Sequence, residues 1–277
     1  MQNLISTLKT WLGLAPSKPT IQWQKAWSDF LEAHVSFYRQ LTSSDKRIFE
    51  QRVVLFLETT RVEAGQFEVT DEDRLLVAAS AVIPVWAFEG WQYFNLEAVF
   101  LLPQAFNINL EFNQPDSLIT GMVGTGVMAG KLVLSKPDLH QGFKNERDKH
   151  NVGIHEFVHL VDMADGECDG FPERLKAFAY SIPWFELLRV KVLEIEQGQS
   201  NIRDYGATNR AEFFAVASEY FFERPAMLKR KHPKLYKALS EIYQQDLAAI
   251  KKDVTPFKNS PCPCGSGKKY KRCCMER

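Results

Sequence analysis

The stretch that decides the reading is Val152-Gly-Ile-His-Glu-Phe-Val-His-Leu-Val-Asp162. His155 and His159 stand four apart, so on a helix both imidazoles leave one face, one turn from each other, close enough to share a metal ion. Ile154, Phe157, Val158, Leu160 and Val161 cover the other faces, the pattern of a helix buried through the middle of a domain. Neutral imidazole nitrogens bind Zn²⁺ well, and a catalytic site keeps one position for water beside three protein ligands. Glu156, adjacent to the pair, is the candidate to take a proton from that water. The pattern His-Glu-x-x-His is short, and a solvated helix produces the same letters by chance.

A third ligand would turn the pair into a site. Asp204-Tyr-Gly-Ala-Thr-Asn-Arg-Ala-Glu-Phe-Phe-Ala-Val-Ala-Ser-Glu-Tyr-Phe-Phe222 is a turn-forming segment that runs into a second strongly apolar helix, with Glu212 in its first turn. Two roles are open to Glu212: reaching across to the histidines, or completing a capping box with Asn209. One carboxylate does not easily fill both. Asp162 lies seven beyond His155, and Glu219 seven beyond Glu212, so each shares a face with its partner. Each suits either a hydrogen-bond acceptor behind a ligand or an ordinary ion pair or cap, and neither is counted among the ligands.

His155-Glu156-Phe-Val-His159-Leu-Val-Asp162, followed by Tyr205-Gly-Ala-Thr-Asn-Arg-Ala-Glu212-Phe-Phe, resembles the Mlc titration factor A (MtfA) metallopeptidases. That likeness runs from about Ile21 to about Tyr243; a likeness to the catalytic domain of anthrax lethal factor is confined to the two metal-site segments. The resemblance implies zinc ligands His155, His159 and Glu212, with Glu156 as general base. It implies that Tyr205 donates a hydrogen bond to the developing oxyanion, a role open to a phenol; a loop aromatic packed on the core is the other reading. The fold it implies is α+β and mostly helical, a gluzincin-like metallopeptidase domain with a small sheet over residues 21–250. In gluzincin-like peptidases an edge strand beside the active-site helix pairs with the substrate backbone, and the likeness suggests Gly130 to Ser135 for that job. An ordinary core strand is the alternative. The resemblance also implies a second class of function, a regulatory binding protein that sequesters a transcriptional repressor, with peptidase activity weak or secondary.

A different chemistry closes the chain. Cys262-Pro-Cys264-Gly-Ser-Gly-Lys-Lys-Tyr-Lys-Arg-Cys273-Cys274 sets two close pairs of thiols around a glycine-rich hairpin, enough to wrap a second, structural Zn²⁺ in a piece too short for a core. It resembles the SEC-C motif, which implies adaptor use between proteins. Gly-Ser-Gly-Lys is no phosphate loop, because no Ser or Thr follows the lysine. Residues 251–277 carry a net charge of +6 before any metal is counted. Acidic protein surfaces are therefore the expected partners of this knuckle, ahead of nucleic-acid phosphates. Residues 251–261 read as a linker.

With 277 residues, 45% of them hydrophobic, the chain can bury a sizeable core. Thirty-four basic and 34 acidic residues leave no overall pull toward nucleic acid or anionic membrane. Residues 1–20 mix apolar and polar positions and read as a flexible arm, with no signal peptide expected. Leu75 to Phe88, the longest apolar stretch, is too short to span a bilayer and contains Pro84. Four of the five cysteines crowd into the last sixteen residues, which does not suggest a secreted disulfide framework. The cytoplasm is the expected compartment. Along the rest of the chain, helices are expected over 21–41, from Thr42, from Thr70 to Val82, over 171–199 and over 226–250, and strand character over 91–102. His140 and His150 are possible spare ligands or plain loop histidines. Cys168 reads as an isolated structural thiol.

Overall fold

The computed structural model of the chain is described for residues 21–145, 148–172, 181–249 and 269–272. The arm at 1–20, the linker at 251–261 and the thiols of Cys262, Cys264, Cys273 and Cys274 lie outside the described residues. The chain divides into two compact units, Met1–Leu247 and Ala248–Arg277. In the second, one 3₁₀ turn, Tyr270–Arg272, is described. The first is α+β and mostly helical, built on one four-stranded sheet.

Where a single helix is expected over 21–41, two form: α1 (Lys25–His34) and α2 (Ser36–Arg39). Val35 between them is extended, at φ −114° and ψ 100°, and its side chain is buried. The capped starts fall where the sequence puts them. Thr42 opens α3 (Ser43–Thr59) by accepting a hydrogen bond from the Asp45 amide at 3.2 Å. Thr70 and Asp73 form a reciprocal capping box at the head of α4 (Asp71–Val82), satisfying two amides that the helix leaves unpaired. In α3, Phe49, Val53, Val54 and Phe56 are buried, while Ile48 is exposed.

The strands are β1 (Arg61–Glu63), β2 (Ala98–Leu102), β3 (Gly121–Val123) and β4 (Lys131–Ser135), in the spatial order β1-β2-β4-β3. The first two and β4 run parallel, while β3 returns antiparallel along β4. This corrects the expectation for Gly130 to Ser135. Lys131–Ser135 is paired on both sides and Leu132 to Ser135 are buried, so it is an interior strand with no free edge to offer a peptide. The edge belongs to β3. Thr120 and Gly124 turn their main-chain groups to β4, through Ser135 N to Thr120 O and Gly124 N to Lys131 O, both 2.8 Å. The two-residue repeat of an antiparallel ladder then points the amides and carbonyls of Gly121 and Val123 outward.

The remaining helices among the described residues are α5 (Lys136–Lys144), α6 (Val152–Asp162), α7 (Ser181–Glu196), α8 (Arg210–Glu223), α9 (Pro225–Lys231) and α10 (Pro233–Tyr243). Pro225 and Pro233 sit in first turns, where a missing amide costs nothing. Every residue of α6 is buried, and the helix packs against α8, α4, α5 and β3. Gly153 makes one of these approaches possible: a Cβ there would stand 2.1 Å from the Ser80 Oγ of α4. The apolar faces read from the sequence thus place α6 at the centre of the unit, with β3 along one side and the start of α8 on another.

Candidate metal centre

Helix α6 starts where Asn151 caps it, its side-chain oxygen accepting from the Ile154 amide at 3.0 Å. One turn in, His155 and His159 project together; each is 7% exposed. Asn209 caps α8 in the same way, accepting from the Glu212 amide at 2.9 Å. The capping is one-sided: the Glu212 carboxylate does not return to close a box but reaches the histidines. Its Oε2 lies 3.0 Å from His155 Nε2 and 3.5 Å from His159 Nε2, and the two Nε2 atoms are 3.2 Å apart. These three residues are the one group among the described residues with the composition and closeness to hold a metal ion.

The spacing tests the fit. A tetrahedral ion with bonds of about 2.0–2.1 Å keeps its ligand atoms about 3.3 Å apart. The three separations bracket that value without any rearrangement. Two imidazoles and one carboxylate are also the donor set of many catalytic zinc sites.

The electrostatics of the cluster are those of charges gathered out of water. Burial disfavours a charged His155, but the carboxylates of Glu219 and Glu212 outweigh it and lift the ring from 6.5 to about 10. Burial alone would raise Glu212, yet hydrogen bonds from the two histidines and their charge hold it well below the carboxylate range. Glu156, 6% exposed, is pushed up from its ordinary value mainly by burial, with Glu212 and Glu219 adding to the effect and the histidines opposing it. Tyr205 stands on a 3₁₀ turn, Asp204–Ala207, half exposed, its ring centroid 6.0 Å from that of His155. Burial and the neighbouring charges of Glu212 and Glu156 raise its phenol.

The fold therefore gathers His155, Glu156, His159, Tyr205 and Glu212 from three separate segments. His140 and His150 are elsewhere: His140 binds Asp73 at 2.7 Å, and His150 is exposed. Glu219, placed by its spacing of seven on the face of Glu212, takes the first of the two roles open to it: it accepts from His155 Nδ1 at 2.8 Å. Two other neighbours escaped the sequence. Arg203, which bonds Glu219, carried no signal. Cys168 is not isolated, since its Sγ is 3.6 Å from His159 Nδ1; burial and Asp162 raise the thiol to about 12. Asp162 accepts from the Gly170 amide at 2.8 Å, and burial lifts it to about 6. A groove of about 1000 Å³ between α7 and α10, floored by Trp184, Leu187, Val190 and Ile242, contains none of these residues.

A buried helix with two imidazoles one turn apart, joined by a carboxylate from a second helix, is the frame of a metal-dependent hydrolase. The chain belongs to the glucose-regulated metallopeptidase M90 family, whose model matches residues 17–244. The SEC-C motif matches residues 259–276. Among relatives, the chain is 31% identical over 229 residues to an uncharacterized protein of Synechocystis sp., covering 78% of this chain and 82% of that one. It is 26% identical over 237 residues to Mlc titration factor A of Klebsiella pneumoniae, covering 81% and 86%. To Mlc titration factor A of Serratia proteamaculans it is 28% identical over 188 residues, covering 64% and 71%.

Proposed function

We propose that the chain is a zinc-dependent peptidase in which His155, His159 and Glu212 hold the ion. The observation that carries this reading is the set of separations between three donor atoms, 3.0, 3.2 and 3.5 Å, on two helices brought together by the core. A zinc ion held by these three side chains would supply the polarisation of a scissile carbonyl and of an attacking water. Glu156, beside the donors but not one of them, accepts the proton of the attacking water and delivers it to the departing amine. Its raised pKa suits the first step, because a carboxylate that holds a proton more readily is the better base. The Tyr205 hydroxyl, on the open side of the centre, donates to the oxygen that gains negative charge. The outward amides and carbonyls of Gly121 and Val123 offer the substrate backbone a ladder, which holds a peptide extended with little demand on its side chains.

A second zinc, held by Cys262, Cys264, Cys273 and Cys274, shapes the basic SEC-C segment as an adaptor for acidic protein surfaces. The reading places the protein in the cytoplasm, where such thiols stay reduced. The test is hydrolysis of a mixed fluorogenic peptide library. Activity is expected to vanish with a chelator and return with zinc. Glu156→Gln is expected to keep its zinc and to lose hydrolysis by about 10²–10⁴-fold; turnover at the wild-type rate would remove Glu156 from the role.

The name of the relatives, Mlc titration factor A, favours a second reading in which the chain sequesters a transcriptional repressor and cleavage is secondary. Capture of such a repressor by a variant lacking all three ligands, together with no zinc-dependent hydrolysis, would decide for it.

A further inference from the structure

The two ligand imidazoles are held from behind in different ways, and the difference singles out one buried acid. Glu219 lies on α8, two turns after Glu212, and its side chain is fully buried. Both of its oxygens are engaged. Oε1 accepts from His155 Nδ1 at 2.8 Å and from the Arg203 guanidinium; Oε2 accepts from the Asn151 amide at 2.6 Å, at the head of the metal helix. Three donors converge on one carboxylate, two from the metal helix and its cap and one from the segment before α8. Among the described residues His159 has no such partner; its Nδ1 faces the Cys168 sulfur at 3.6 Å.

We propose that Glu219 is the positioning residue of the centre, fixing His155 in the tautomer and ring orientation that present the Nε2 lone pair to a metal ion. The inference rests on the metal reading given above. An imidazole that donates from Nδ1 carries its lone pair on Nε2, and an acceptor that cannot itself donate enforces that choice. An ionised carboxylate is such an acceptor. The helix spacing does the rest: residues seven apart share a face, so α8 delivers the ligand Glu212 to one ring nitrogen and Glu219 to the other. Asn151 and Arg203 pin the carboxylate, so the ring is held without help from solvent. A carboxamide of the same shape has one acceptor oxygen for three donors. Turned either way, it sets an N–H against the Asn151 amide or against His155 Nδ1.

The full chain tests this. Wild type, Glu219→Gln, Glu219→Asp and a His155→Ala reference are stripped of metal and titrated with Zn²⁺ against a chromophoric chelator. The zinc that His155→Ala fails to bind defines the site. Glu219→Gln is expected to bind that zinc about 10- to 100-fold more weakly, and the visible spectrum of Co²⁺ at the site is expected to shift. Circular dichroism of the metal-free chains is expected to match wild type. Glu219→Asp, which keeps the charge but withdraws it by one methylene, is expected to fall between the two, and it decides the matter should the Gln variant not fold. Wild-type zinc affinity with an unchanged cobalt spectrum in the folded variants would overturn the role of Glu219 while leaving the metal reading intact. A wild-type chain that binds no zinc dependent on His155 would overturn both.

Discussion

Gly121 matters for the atoms it lacks. A Cβ at this position would stand 2.6 Å from Glu156 Oε1 and 2.7 Å from Val152 Cγ2, closer than real side chains approach. The edge strand can therefore lie against the carboxylate proposed as general base, and any side chain on Gly121 displaces one or the other. Gly121→Ala is expected to lower peptide hydrolysis at least about tenfold, since small misplacements of a catalytic group are costly. Zinc content is expected to stay that of wild type; unchanged hydrolysis would count against the placement of Glu156. At this scale the sequence named His155, Glu156, His159, Tyr205 and Glu212 because spacing on a helix and motif likeness are local properties. Glu212 stayed ambiguous between ligand and cap until the fold separated the two, leaving the cap to Asn209 and the carboxylate to the histidines. Cys168 and Arg203 were not legible. Their contacts cross the chain, and nothing in the residues around them marks the meeting.

Helices α4 and α5 are clamped by Asp73. Its side chain is fully buried and takes Lys136 Nζ at 2.8 Å and His140 Nε2 at 2.7 Å, besides the Thr70 cap. Burial would raise the carboxyl, but these hydrogen bonds hold it well below its ordinary range. A carboxylate depressed in the folded state stabilises the fold above its unfolded pKa, about 3.9. That stability is lost as pH falls through the folded value. Asp73→Asn is expected to destabilise the chain by about 2–3 kcal/mol at pH 7, reduced because both partners of the carboxylate are about a third exposed. The gap between variant and wild type in urea unfolding should narrow below about pH 4; a gap independent of pH would contradict the clamp. Capped helices such as α3 and α4 were readable to within a residue of their starts, since the cap is written beside the helix. Strand β1 was not seen, because three residues carry no usable period. The identity of the edge strand was misread for a related reason. Order within a sheet is set by pairings between distant segments, and β4 looks the same in sequence whether or not β3 lies beside it.

At the scale of the molecule, family membership rests on residues 17–244 and the SEC-C match on 259–276, so the metallopeptidase family match and the SEC-C motif occupy separate stretches of chain. The overall class, α+β and mostly helical with a small sheet, was legible because the amphipathic stripes of the helices outnumber short strand runs. Among the described residues, no helix is long and apolar enough to cross a membrane. The central claim is that His155, His159 and Glu212 act together on one ion. It is tested most directly by counting zinc equivalents per chain in the full-length protein and in the triple variant His155→Ala, His159→Ala, Glu212→Ala. The account predicts that the count falls by one, from two to one, with the thiol site retained. Equal zinc in both proteins would contradict it.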